Sequence, residues 1–111
     1  MADKLKFAHQ AMRLGATFRP QGYGNDAMTL PDAGCALRAV ADVIGSEGDA
    51  EAKYSALKKR FPVFMQIASH PVTGMRGDLG AICATLNDVY SWPREKIADF
   101  LQGHEEFNLL R

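Results

Sequence analysis

Gly34-Cys35-Ala36-Leu37-Arg38-Ala39-Val40-Ala41-Asp42-Val43-Ile44 is the stretch that decides the fold. It is almost wholly apolar, and only Arg38 and Asp42 interrupt it. Those two stand four positions apart, the spacing of a side-chain pair on one outer helix face. A helix apolar on nearly every side belongs inside a core. Gly45 follows where a helix stops. The stretch therefore predicts a central buried helix over 34–44, with alanines that let its neighbours come close.

The segments on either side read as elements packed around that helix. Upstream, Leu5, Ala8 and Met12, widened by Phe7, Ala11 and Leu14, keep helical spacing over 3–14. Gly15 then stands where a left-handed C-terminal cap belongs. From 16 to 33 the chain is dense in turn formers: Pro20, Gly22, Gly24, Asn25 and Asp26. Short strands at 17–19 and 28–30 would make this a small hairpin, the alternative being an ordered irregular loop.

Downstream, Ala50, Tyr54, Leu57 and Phe61 line one side of a more exposed helix over 46–60. Glu47, Asp49 and Glu51 precede Lys53, Lys58, Lys59 and Arg60, an acid-then-base order that suits the helix dipole. Pro62 starts a short helix over 63–68. A second loop, 69–77, leads to Asp78, a good N-cap for a helix over 79–86. Asn87-Asp88 ends it. Ser91 or Trp92 caps the last helix, with Pro93 in its first turn, Ile97, Phe100 and Leu101 facing inward, and Gly103 as the stop. A tail, 104–111, carries Phe107, Leu109 and Leu110.

The bulk numbers agree with this reading. The 111 residues fit one domain spanning 1–111, and 47% hydrophobic with 23% charged residues is ordinary for a soluble globule. Lys plus Arg and Asp plus Glu balance at 13 each, so no global field gathers nucleic acid or an anionic membrane. No apolar run approaches the roughly 20 residues of a membrane helix. The N-terminus lacks a signal peptide's hydrophobic run. Cys35 and Cys83 sit in small apolar settings and read as reduced thiols of a cytoplasmic protein.

Two short motifs carry a resemblance. Cys35-Ala36-Leu37 with Ala39 resembles the Cys-Ala-Leu-Gly-Ala helix start of the bacterial and phage family catalogued as domain of unknown function 6197. Arg38 replaces its glycine. Asn87-Asp88 resembles that family's Trp-Asn-Asp turn, with Leu86 in place of tryptophan. The resemblance spans most of the chain. It implies a small accessory protein, often phage-borne, and no particular activity.

Cys35 is the sharpest chemical candidate. A thiol in a helix's first turn feels the positive end of the dipole, which favours thiolate. Papain-like hydrolases order a cysteine, a histidine and an Asn or Asp along the chain, and Cys35, His70 and Asn87 or Asp88 follow that order. The competing reading, Cys35 as packing where a helix enters the core, carries more weight. The histidines and cysteines show no metal-ligand spacing, so neither a metal nor a cofactor is expected. Gly74 to Gly80, with Arg76, is glycine-rich and precedes a helix, as an anion cradle would. It lacks the Lys-Ser/Thr of a phosphate loop, and a flexible connection with an N-cap explains it more simply.

Surface contact supplies the remaining candidates. Phe18, Arg19, Tyr23, Asn25 and Met28 lie on the 16–33 loop, where aromatic residues and methionine suit an interface. The alternative is that Phe18 and Met28 pin the loop while Tyr23 stays wet. Trp92, beside Pro93, either packs over the Asn87-Asp88 turn or belongs to a recognition patch. The chain is thus expected to be mainly helical, about five helices around the central one, with a minor β-hairpin after the first. The function expected is non-enzymatic binding, through contact with another protein or a second copy. A phage-encoded modulator or inhibitor of a host system fits by resemblance. A papain-like thiol hydrolase at Cys35 and an anionic-ligand module at Gly74–Gly80 are the alternatives. Nucleic acid and membrane are not expected partners.

Overall fold

A computed structural model describes residues 5–29 and 32–110, with the side chains of 25, 26 and 107–110 set aside. Among these residues the chain forms α1 (Ala8–Gly15), a 3-10 turn (Asn25–Met28), α2 (Ala36–Val43) and α3 (Ala50–Arg60). A second 3-10 turn (Pro62–Met65), β1 (Ile67–Ser69), β2 (Arg76–Asp78), α4 (Leu79–Asp88) and α5 (Arg94–Leu110) complete it. The expected architecture holds: mainly helical, built around the helix that follows Cys35, with one small hairpin.

α2 lies at the centre. Its residues 36–41 are all buried, and it packs against α1, α3 and α4. Met12, Leu37, Val40, Leu57, Phe64, Leu79, Leu86, Ile97 and Leu101 form the fully enclosed part of one core. Side chains on several elements thus lose their water together, which holds short helices that would not persist alone.

Local details depart from the sequence reading for identifiable reasons. Gly15 is the last residue of α1 and does not take a left-handed conformation. Its role is proximity: any side-chain carbon there would overlap the Ala39 carbonyl of α2. Gly45, with φ of 71°, does end α2 as expected. Gly103 does not stop the last helix, which continues through it to Leu110. The expected docking of the Phe107, Leu109 and Leu110 side chains lies outside what is described, as do residues 3, 4 and Leu30. The first helix starts later than expected, since Leu5 to Phe7 are not helical and the extended Phe7 is the N-cap of α1. Arg38 and Asp42 do pair, at 2.8 Å, but Arg38 is buried, and Arg19 of the 16–33 loop reaches the same carboxylate at 2.9 Å.

The hairpin lies further along the chain than expected. Among the described residues of 16–33 the chain forms turns and the 3-10 turn, and Gln21 makes a parallel bridge with Gly34. The strands instead take up 67–69 and 76–78, pairing antiparallel as Ile67 with Asp78, Ala68 with Gly77 and Ser69 with Arg76. Pro62 supports only the short 3-10 turn, and the helix expected over 63–68 gives way to β1. Gly74, at φ 75°, makes the tight turn between the strands.

Candidate functional site

Two regions concentrate polar chemistry and exposed apolar surface. The first is the junction of the 16–33 loop with the starts of α2 and α5 and the end of α4. Asn87, fully buried at the end of α4, is its hub. Its side-chain oxygen accepts from the Ala36 backbone N–H at 3.1 Å and from Gln21 Nε2 at 2.9 Å. Its amide nitrogen donates to the Gly22 carbonyl at 2.9 Å and to the Asp88 carboxylate at 2.8 Å. Asp88 in turn accepts from the Gly24 N–H at 2.9 Å. The asparagine amide therefore reads two donors and two acceptors at once, which a carboxylate or an aliphatic side chain cannot do.

The same junction is tied from α5. Arg94 donates to the carbonyls of Arg19 at 2.9 Å, Ala16 at 3.2 Å and Gly34 at 3.3 Å. Gln21 also donates to the Trp92 carbonyl at 2.8 Å. Trp92 is half-buried against the core, with the Lys96 ammonium 4.1 Å from its ring centroid. Between Ala16 and Gly24 the loop is irregular but fastened at several points. It exposes Phe18 and Tyr23, each 52% accessible.

Cys35 sits inside this junction as the N-cap of α2. Its sulfur accepts from the Arg38 N–H at 3.4 Å and lies 3.4 Å from the Met28 sulfur. Burial pushes the thiol above its ordinary value, and the backbone N–H of Arg38 only partly offsets this. The dipole argument for a thiolate is thus outweighed by desolvation. Met28 is fully enclosed against this sulfur, which removes it from any contact surface.

The second region lies between the hairpin and α4. His70, Thr73, Met75, Gly77, Ile82, Thr85, Val89 and Tyr90 line a groove of about 270 Å³, which Arg76 borders. Met75 and Val89 are its most exposed apolar members, at 72% and 67%. The His70 and Tyr90 rings meet at 5.3 Å. His70 Nδ1 accepts from the Val72 and Thr73 backbone N–H groups at 3.1 and 3.3 Å. The hydrogen then belongs on Nε2, which donates to Thr85 Oγ at 2.9 Å, and Thr85 passes its own hydrogen to the Ile82 carbonyl. With that polarity His70 cannot take a proton from Thr85. The pair holds the hairpin turn to α4.

The expected residues therefore fall in separate places. Asn87 and Asp88 lie beside the Cys35–Ala36 junction. His70 is engaged across the hairpin, and among the described residues no hydrogen bond joins it to Cys35 or Asn87. Arg76 stands on β2 and donates to Ser69 Oγ at 3.4 Å, across the outer face of the hairpin. The α4 N-terminus below Gly74–Gly80 is already met by a carboxylate, since Asp78 accepts from the Ala81 N–H at 2.7 Å. Asn25 lies in the 3-10 turn, and its side chain is outside the description.

Sequence reading missed Gln21, Arg94 and Glu105. Glu105 on α5 is buried and accepts from the Ala8 and His9 N–H groups at 2.8 and 2.9 Å, capping α1 from the far end of the chain. The only signal for it was a charge one helical turn beyond Leu101. Arg94 had a weaker one, an arginine in the first turn of a helix, where the dipole disfavours it. Compared with protein-family models, with curated proteins and with solved structures, the chain matches none.

Proposed function

We propose that this chain is a non-enzymatic, cytoplasmic binding module that acts by contact with another protein or with a second copy of itself. The contact surface is the 16–33 loop, centred on Phe18 and Tyr23. One observation carries the reading: both rings stay half exposed while the backbone around them is fastened by Asn87, Asp88, Gln21 and Arg94. Aromatic anchors on a loop already ordered lose little entropy on binding, the property that makes such residues hot spots. Arg19 sits between them, held by Asp42. Two buried, unpaired thiols suit a reducing compartment. By its resemblance to domain of unknown function 6197, the setting we favour is a phage-encoded modulator or inhibitor of a host system.

Affinity purification from a bacterial host, with mass spectrometry, tests this. A partner retained by wild type and by Cys35→Ala, but lost from Phe18→Ala/Tyr23→Ala, supports the loop surface. Sedimentation of the same proteins separates self-association from a foreign partner. Equal recovery by all three proteins removes the loop from the interface.

A further inference from the structure

The hairpin is a two-stranded sheet whose outer edge on β2 is open. Its register makes Ala68–Gly77 a hydrogen-bonded pair, flanked by His70 N–H to the Met75 carbonyl at 2.8 Å and Leu79 N–H to the Gln66 carbonyl at 2.9 Å. Arg76 and Asp78 are therefore in the intervening pairs, where backbone groups point away from the partner strand. Among the described residues the Arg76 N–H and C=O and the Asp78 N–H have no protein partner. The Asp78 carbonyl is excluded, because an N-cap carbonyl opens its helix. Arg76 is exposed, and the segment contains neither a proline nor a bulge, so the edge is guarded only by its three-residue length and the charges of Arg76 and Asp78.

We propose that β2 accepts an extended peptide segment of a partner protein as a third, antiparallel strand. The peptide residue opposite Arg76 exchanges two backbone hydrogen bonds with it, and a carbonyl two positions along accepts from the Asp78 N–H. Only another backbone supplies donors and acceptors at that repeat, which selects an extended chain over a small molecule. Neighbours of the residue opposite Arg76 point to the other face of the sheet. There Gly77 has open space where a side chain would stand, and the apolar groove of Met75, Ile82 and Val89 adjoins it. One of those neighbours is apolar and enters this groove. The surface is separate from the Phe18–Tyr23 loop and does not depend on it.

The test is selection of a phage-displayed random heptapeptide library on the immobilised full chain. Enriched sequences should place an apolar residue in an alternating pattern. Their synthetic peptides should slow hydrogen exchange at the Arg76 and Asp78 amides. Arg76→Pro removes an edge N–H without touching the β1–β2 ladder, and it should weaken binding at least about tenfold. Arg76→Ala keeps the backbone and should stay within about twofold. No enrichment over a blank surface overturns the proposal, as does equal loss in the alanine and proline variants, or protection confined to residues near Phe18 and Tyr23. Should Arg76→Pro fail to fold, the exchange data on wild type with Arg76→Ala still decide the matter.

Discussion

The side-chain oxygen of Asn87 accepts a hydrogen bond from the Ala36 backbone N–H at 3.1 Å, joining the last turn of α4 to the first turn of α2. Helix N-termini leave backbone donors without intrahelical partners. Here Cys35 serves one of α2's and Asn87 another. The two motifs that stand out in the chain are thus two halves of one junction, and the loop between α1 and α2 is threaded through it.

Asn87→Ala should be among the most damaging single substitutions in the protein. It strands the Ala36 N–H, the Gly22 carbonyl and the Gln21 amide, and a buried group left unpaired costs about 1–3 kcal/mol. A loss of about 3 kcal/mol in urea unfolding is expected. Amides of residues 20–24 should lose exchange protection even where the helices stay folded. Gln21→Ala should cost about 1 kcal/mol, since Asn87 keeps its other bonds.

Two glycine-to-alanine changes should have opposite signs. Gly15→Ala drives a methyl group into the Ala39 carbonyl and should cost about 3 kcal/mol or more. Gly103→Ala meets nothing within 4 Å inside a continuous helix and should add about 0.5–1 kcal/mol. Thermal melts of the two variants against wild type read both effects.

Cys35 should resist iodoacetamide at neutral pH in the folded protein and react on unfolding, because it is buried and its thiol is held in the protonated form. Rapid alkylation of the native chain would contradict its placement as packing and cap. Cys83, whose thiol burial pushes up to about 12, should behave the same way. Cys35→Ala should cost about 1–2 kcal/mol, for the lost cap and the space left beside Met28.

Stability should fall on mild acidification. Burial lowers the His9 pKa below its ordinary value of 6.5, with the Arg13 guanidinium adding to the effect, and burial alone lowers that of His104. The folded chain then binds fewer protons than the unfolded chain. The contribution is present above pH 6.5 and is lost as pH falls through the window below it. Glu105 has the opposite sign: burial raises its pKa from 4.5, so its contribution is present at low pH and fades as pH rises through the raised value. Urea midpoints should therefore drop between pH 7.5 and 5.5, and the drop should shrink in His9→Gln/His104→Gln.

Helix class and the identity of the central helix were legible in the chain because they follow from local rules. An apolar run from Cys35 to Ile44 has nowhere to go but a core, and Asp78 and Gly45 mark a helix start and stop by their own chemistry. Residues 67–78 were not legible, since six strand residues carry too little pattern to compete with a proline-started helix. Gly15 and Gly103 show the same limit: both look like helix stops. Which one closes a helix against a neighbour and which one is passed through depends on the surroundings.

By itself, the sequence determined that this protein is a helical globule around the helix that follows Cys35, because hydrophobic periodicity and end caps act within a few residues. Only the tertiary structure decided that Asn87, Arg94 and Glu105 fasten segments far from them, that Met28 and Cys35 close on each other, and that Phe18 and Tyr23 face water. Those outcomes depend on which backbone groups are left without partners once the helices pack, and no stretch of chain carries that information until its distant neighbours are in place.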